Sequence, residues 1–132
     1  MKEYTIIGCN SYLGSNLIYY LYEKGYVKLN LYDVANSLEK TSYEFDIIDF
    51  QDMKTVKNIK MDVDAIFYFV GLIGTNNSIH HYDEYVKVNE IYLLNILNEL
   101  KVRKLKTRFI YPSTGLVYKS SDMLLDEEAE FD

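Results

Sequence analysis

A strand-like segment at the start of the chain runs into a glycine turn and then into a helical pattern. Residues 4–7 are β-branched or aromatic, Gly8 and Gly14 bracket the turn, and a helix is predicted from about Ser11 to Lys24. Glycine permits a tight turn after the strand, and the free N–H groups at a helix N-terminus attract a phosphate. This order of elements is typical of a βαβ unit that binds a dinucleotide.

The middle glycine of the dinucleotide fingerprint is replaced here by Ser11. We expect Gly8 to support the sharp turn and Gly14 to let the helix pack closely on the strand. Ser11 carries a Cβ where the turn should approach a pyrophosphate, although its hydroxyl is able to donate to a phosphate. The candidate cofactor-binding residues of the turn are Gly8, Asn10, Ser11, Tyr12, Leu13 and Gly14.

An acidic residue follows the second predicted strand, nineteen positions after Gly14. An acid near this spacing accepts hydrogen bonds from the adenosine ribose hydroxyls and repels a 2′-phosphate. Asp33 therefore predicts a site that prefers NAD over NADP. The alternative is that Asp33 caps a helix beginning near Val34, because aspartate is also a good N-cap.

Length and composition indicate one globular domain over residues 1–132. We found no run of about twenty apolar residues and no signal peptide, so no membrane contact is expected. A single cysteine, Cys9, excludes an internal disulfide and suits the cytoplasm. The net charge of −6 argues against nucleic acid as a partner. The acidic segment 119–132 is expected to be a poorly ordered tail.

Strands and helices alternate along the chain. Apolar periodicity predicts strands at 4–7, 28–32, 42–45, 65–70 and 108–111, and helices at 11–24, 52–59 and 83–101. Alternation with apolar strands implies an α/β fold, with a parallel sheet covered on both faces. Right-handed crossovers then give a Rossmann-like, doubly wound sheet of five strands in the order 3-2-1-4-5.

One isolated cysteine and two residue pairs remain to be interpreted. Cys9 at a helix start is either a stabilised thiolate or a small side chain that fills the turn. The adjacent His80 and His81 lack ligand partners at suitable spacing, so we interpret them as surface loop residues and predict no metal site. Tyr20 and Lys24 match the pattern Tyr-x-x-x-Lys, but they lie on the first predicted helix, behind the turn. We interpret this match as a coincidence in a chain with fourteen tyrosines.

An ordered set of motifs resembles the NAD-dependent epimerase/dehydratase family, the extended short-chain dehydrogenases that act on nucleotide sugars. The glycine turn is the first of these motifs. It is followed in order by Asp46-Ile47, Phe69-Val70-Gly71, Val88-Asn89 and the segment 112–118. The resemblance covers nearly the whole chain and implies a site that binds NAD.

The resemblance also implies a role for individual residues. Asp46 and Ile47 would contact the adenine, and the Asp46 carboxylate would contact the adenine amine. The backbone at Val70 and Gly71 would line the cofactor, and Asn89 would help to fix the geometry of the fourth strand.

The same resemblance implies an incomplete catalytic site. Thr114 stands where the family has the hydroxyl residue that hydrogen-bonds the reacting sugar. Its partner would be a Tyr-x-x-x-Lys pair, whose lysine lowers the tyrosine pKa so that the phenolate acts as a base. We expect that helix only after residues 126–132, beyond this chain.

Three functions remain open from the sequence. The chain is the NAD-binding portion of a nucleotide-sugar epimerase or dehydratase, inactive alone, whose catalytic pair and sugar contacts come from elsewhere. Alternatively it is a nucleotide-binding module without chemistry, or a regulatory or assembly protein that keeps only the scaffold. The resemblance also implies that a further strand and the Tyr-x-x-x-Lys helix cover the side of the fifth strand in the complete fold. Without them we expect an open sheet edge and apolar surface there, and hence a homodimer or a partner protein.

Overall fold

The computed structural model describes residues 1–25, 27–34, 42–114, 117–120 and 126–131. Its strands are β1 (Lys2–Ile7), β2 (Val27–Asp33), β3 (Asp46–Ile47), β4 (Ala65–Tyr68) and β5 (Arg108–Ile110). All neighbouring pairs are parallel, and the strands lie in the order β3-β2-β1-β4-β5. The predicted α/β class and the predicted strand order are confirmed.

Helices connect these strands. They are α1 (Tyr12–Lys24), α2 (Met53–Val56), α3 (Thr75–His80), α4 (Tyr82–Val86) and α5 (Tyr92–Val102), and a π-helical turn (Lys87–Ile91) joins α4 to α5. None of the helices in the described ranges is long and apolar enough to cross a membrane.

The boundaries of α1 follow from its two capping residues. Ser11 is the N-cap, and its side-chain oxygen accepts a hydrogen bond from the backbone of Gly14. Gly25 ends the helix with φ +65°, a conformation that glycine adopts without steric cost. The helix predicted between the glycine turn and Gly25 is therefore present.

The prediction for the third strand was wrong in position. Residues 42–45 do not form it, and the strand consists of Asp46 and Ile47 alone. Tyr43 and Phe45 instead pack against the apolar cluster beneath α1, and the Tyr43 hydroxyl donates to the carbonyl of Cys9. The alternating aromatic pattern thus reflects a loop that packs on a helix rather than a strand.

The region after β4 also differs from the prediction. His80 lies at the end of α3 rather than in a loop, and His81 follows it, with both side chains exposed. The helix expected over 83–101 begins at Tyr82 and is interrupted by the π-helical turn. A π-helical turn accommodates one additional residue within a helix, and the prediction of one continuous helix did not include it.

Two apolar clusters cover the two faces of the sheet. Ile6 and Ile7 are adjacent in β1 and point to opposite faces, as the two-residue period of a strand requires. The larger cluster includes Ile7, Ile66 and Tyr68 of the sheet together with Ile96 of α5. The smaller cluster joins Ile6 to α1.

Arg103 connects the end of α5 to the end of α2. Its Nε donates to Glu99 over 2.7 Å, and its two terminal nitrogens donate to the carbonyls of Ile59 and Lys57. Glu99 is only 4% exposed, so its carboxylate depends on the guanidinium for charge neutralisation.

We predict that Arg103→Met destabilises the fold by about 3 kcal/mol, because it leaves a buried carboxylate and two carbonyls without their donor. The melting temperature should fall by about 10 °C in a calorimetric or circular dichroism scan. Lys101→Met, at an exposed position of the same helix, is the control and should change it by less than about 2 °C. Equal melting temperatures for the two variants would contradict a structural role for Arg103.

Candidate functional site

Gly8 forms the turn that leads from β1 toward α1. Its φ is +84°, and its N–H donates to the carbonyl of Tyr32 over 2.8 Å. A Cβ at this position would lie 2.7 Å from the carbonyl carbon of Phe69 and 2.8 Å from the nitrogen of Val70. Backbone geometry and the neighbouring strand both require glycine here.

Gly14 allows the first turn of α1 to lie directly against this loop. A Cβ on Gly14 would overlap the carbonyl oxygen of Gly8 and would approach Cys9 at 3.0 Å. The neighbours are backbone atoms and cannot rotate away. The two outer glycines of the fingerprint therefore have the steric roles that the sequence predicts.

Ser11 is bonded within the turn. Its hydroxyl donates to the carbonyl of Gly8 over 2.7 Å and accepts from the N–H of Gly14 over 3.0 Å. The hydroxyl thus stabilises the turn rather than standing ready to donate to a phosphate. Tyr12 and Leu13 are the first two residues of α1, where helical N–H groups have no acceptor within the helix.

Asp33 ties the end of β2 to the glycine turn. Its carboxylate accepts hydrogen bonds from the backbone N–H groups of Asn10 and Val34, each over 2.7 Å. The residue is 8% exposed and lies beside the turn. A helix capped by Asp33 would occupy residues 35–41, which lie outside the described residues.

A cavity of 420 Å³ opens at the carboxyl ends of β1, β2 and β4. This is where the chain order reverses across the sheet, the usual ligand position of open α/β folds. The cavity brings together these predicted residues: Gly8, Asn10, Ser11, Asp33, Val70 and Gly71.

A second hollow of 320 Å³ adjoins the cavity on the β5 side, and the two share residues 69–72 as a common wall. Leu13 and Asn89 line this second hollow together with Tyr111, Pro112 and Ser113. Thr114 is exposed, follows Ser113 directly and does not line the hollow. Gly115 and Leu116 of the same motif lie outside the described residues.

Asp46 and Ile47 are not part of the cavity wall. They belong to β3, are exposed, and line a separate hollow of 610 Å³ along β2. Their contact with an adenine stays a prediction. Tyr12 is 82% exposed and lines neither the cavity nor the second hollow.

Asn89 holds the loop that follows β4. Its side-chain oxygen accepts from the N–H of Leu72 over 2.7 Å, and its amide donates to the carbonyl of Leu72 over 3.0 Å. The π-helical turn carries Asn89 into this position. The side chain thereby orders the wall between the cavity and the second hollow.

The sequence reasoning assigned no cavity role to three residues on one helical face, although it named Val88 as part of a motif. Glu84, Val88 and Tyr92 line the cavity and are spaced four residues apart, a helical signal that was available. Among the residues that the structure describes, Glu84 and Asp33 are the charged residues of this wall, and no Lys, Arg or His side chain lines it.

Cys9 is buried behind the turn. Burial and the nearby Asp33 carboxylate raise the pKa of its thiol to about 12. A neutral thiol is a poor nucleophile, so the turn-filling interpretation holds. In the described parts of the chain, no group of three His, Cys, Asp or Glu side chains is placed to bind a metal ion.

The pair Tyr20 and Lys24 lies away from both hollows. The Lys24 ammonium sits 5.3 Å from the centre of the Tyr20 ring on α1, and neither residue lines the cavity or the second hollow. This supports the interpretation of the Tyr-x-x-x-Lys match as a coincidence.

Comparison with protein families decides the assignment. The model of the NAD-dependent epimerase/dehydratase family matches residues 4–131. The chain belongs to this family. The predicted resemblance is thus confirmed over nearly the full length of the chain.

Solved structures with the same fold include epimerases. An epimerase from Methanothermobacter thermautotrophicus has a TM-score of 0.75 at 23% identity, covering 96% of this chain and 39% of the other. A UDP-glucose-4-epimerase from Stenotrophomonas maltophila, solved with NAD and formylated UDP-arabinopyranose, has a TM-score of 0.78 at 17% identity, covering 100% and 43%.

A third structure carries a different cofactor. RMD from Pseudomonas aeruginosa, complexed with NADPH, has a TM-score of 0.68 at 18% identity, covering 100% of this chain and 43% of the other. This epimerase/dehydratase chain thus spans about two fifths of the length of its solved relatives. No curated protein matches the chain.

We predict that Cys9 resists alkylation in the folded protein. With a thiol pKa near 12, iodoacetamide at about pH 8 should leave Cys9 unmodified, whereas the unfolded chain reacts fully. The raised pKa also means that the unfolded state loses its proton first, so stability falls as the pH rises above about 8.5. Mass spectrometry measures the modification, and rapid alkylation of the native chain would contradict the burial.

Proposed function

We propose that this chain is the NAD-binding portion of a nucleotide-sugar epimerase or dehydratase. The cavity of 420 Å³ carries the proposal, because it unites the glycine turn with the end of β2 at the switch point of the sheet. Gly8 and Gly14 lie where a side chain would clash with backbone, as the outer glycines of a dinucleotide fingerprint do. A bare scaffold would also need these two glycines for packing, but it gives no reason for an open cavity lined by Asp33 at the switch point.

The charges around the cavity suggest how a dinucleotide would lie in it. The pyrophosphate would approach the N-terminus of α1, where Tyr12 and Leu13 provide N–H groups and the helix dipole is positive. The adenosine ribose hydroxyls would donate to Asp33. The nicotinamide end would then extend past Val70 and Gly71 toward the second hollow.

The acidic lining supports a preference for NAD over NADP. A 2′-phosphate beside the ribose would approach the carboxylate of Asp33, and Glu84 adds a second negative charge to the same wall. Within the described parts of the chain, no cationic side chain in that wall compensates them. Relatives of this fold are solved with either cofactor, so the preference has to come from this chain's own residues.

The described residues of this chain do not bring a complete catalytic site together. Thr114 would orient a sugar hydroxyl, and bound NAD would supply the hydride acceptor. However, the described residues place no tyrosine–lysine pair beside the second hollow. We therefore propose that the catalytic pair comes from another segment or polypeptide. A nucleotide-binding regulatory or assembly role is the second candidate, and the same observation favours it.

Exposed apolar residues support the proposal of a partner. Ile91, Leu94 and Leu97 are exposed on the helical segment that covers one face of the sheet, and Tyr111 is exposed beside β5. A homodimer or a partner protein would remove this surface from water.

We predict that Asp33→Asn weakens NAD binding by roughly tenfold to a hundredfold, because the ribose hydroxyls lose a charged acceptor. Binding of NADP should weaken much less, so the ratio of the two dissociation constants shifts toward NADP. Titration calorimetry measures both ligands. Asp62→Asn, at an exposed site before β4, is the control and should leave NAD binding unchanged. Equal loss in both variants would contradict the assignment of Asp33.

We predict that the 132-residue chain alone forms no NADH with UDP-sugars, although it binds NAD. The physical reason is the lack of a positioned base to take the proton of the reacting hydroxyl. UDP-glucose and UDP-galactose are isomers, so their interconversion returns the hydride and accumulates no NADH. Chromatography of the two sugars therefore measures turnover beside absorbance at the NADH band, and calorimetry with NAD on the same sample shows that the site is intact. Interconversion of the two sugars, or steady NADH formation, would overturn this part of the proposal.

A further inference from the structure

Apolar packing does little to hold the loop that follows β4, residues 71–74. Ile73 at its centre is 90% exposed, and Gly71 and Gly74 at its two ends are also exposed. Gly74 has φ +108°, a conformation that other residues rarely adopt. A loop of this kind has considerable freedom unless polar contacts restrain it.

Two side chains of the neighbouring helical segment provide that restraint. Asn89 brackets the peptide groups of Leu72, as described above. Tyr85, one helical turn earlier, directs its hydroxyl at the carbonyl of Ile73 over 2.6 Å and at that of Gly74 over 3.2 Å. A single O–H donates mainly to the nearer oxygen, so Ile73 is the principal partner.

The restrained loop lies beside the region where a ligand would bind. Leu72 lines both the cavity and the second hollow, whereas Ile73 lines only the second hollow. Tyr85 itself lines neither of them. The hydroxyl of Tyr85 therefore acts on the ligand region through the loop, on the side away from Asp33.

We infer that Tyr85 is a positioning residue that orders residues 71–74 for the nicotinamide half of a bound dinucleotide. The inference rests on the proposed function, since it needs a dinucleotide in the cavity. Its effect is confined to one half of the ligand, because the adenosine half would contact Asp33 and the glycine turn, which Tyr85 does not touch.

The test compares Tyr85→Phe with Tyr82→Phe. Both changes remove one hydroxyl from α4, but Tyr82 is 72% exposed and lines neither the cavity nor the second hollow. Calorimetry gives the dissociation constants of NAD and of AMP, which contains only the adenosine half with one phosphate. We expect Tyr85→Phe to weaken NAD about tenfold and AMP less than twofold, and Tyr82→Phe to change neither.

Hydrogen exchange of the ligand-free protein provides the second readout. Peptides that cover residues 71–74 should exchange faster in Tyr85→Phe than in Tyr82→Phe, while the peptides of β1 and β4 stay protected. A melting temperature equal to that of the unmodified chain would show that Tyr85→Phe is folded, so that faster exchange at residues 71–74 reports the loop alone.

Each outcome bears on a different claim. Equal weakening of NAD and AMP, or unchanged NAD binding in Tyr85→Phe while the unmodified chain binds both ligands, would overturn the role of Tyr85. Failure of the unmodified chain to bind either ligand would overturn the proposed function and this inference with it. Selective loss of NAD together with faster loop exchange supports both.

Discussion

The close approach of α1 to the turn after β1 is the constraint on which the site depends. Gly14 lies against the carbonyl of Gly8, and Gly8 lies against the backbone after β4. Side chains at either position would push three elements apart. Because the elements meet here, the N-terminus of α1 and Asp33 at the end of β2 both face one cavity. Backbone contact, rather than side-chain packing, thus positions the proposed phosphate site.

Ser11 shows how the turn accommodates a departure from the glycine fingerprint. Its hydroxyl bonds to both outer glycines and caps α1, so the side chain strengthens the turn. The N–H groups of Tyr12 and Leu13 stay at the helix N-terminus for an anion. The replacement therefore changes which atom stabilises the turn and leaves the direction of the helix dipole unchanged.

Much of the fold was predictable because it depends on long apolar patterns. The strand order follows from alternating elements and right-handed crossovers, and Gly25 marks the end of α1. The third strand was misplaced because Tyr43 and Phe45 alternate like strand residues but pack beneath α1. At the site, local motifs predicted Asp33 and the glycine turn. Glu84 shares a helical spacing with Val88 and Tyr92 that was present in the sequence, whereas the bond from Tyr85 to the loop after β4 is a tertiary contact that no local motif reveals.

The central claim is that a dinucleotide binds at the carboxyl ends of β1, β2 and β4. Nitrogen-15 amide NMR during titration with NAD tests this claim most directly, because each backbone amide reports its own surroundings. The account predicts large shifts for Gly8, Leu13, Asp33 and Gly71. Shifts confined to the separate hollow along β2 at residues 29–31, or no shifts at millimolar NAD, would contradict it.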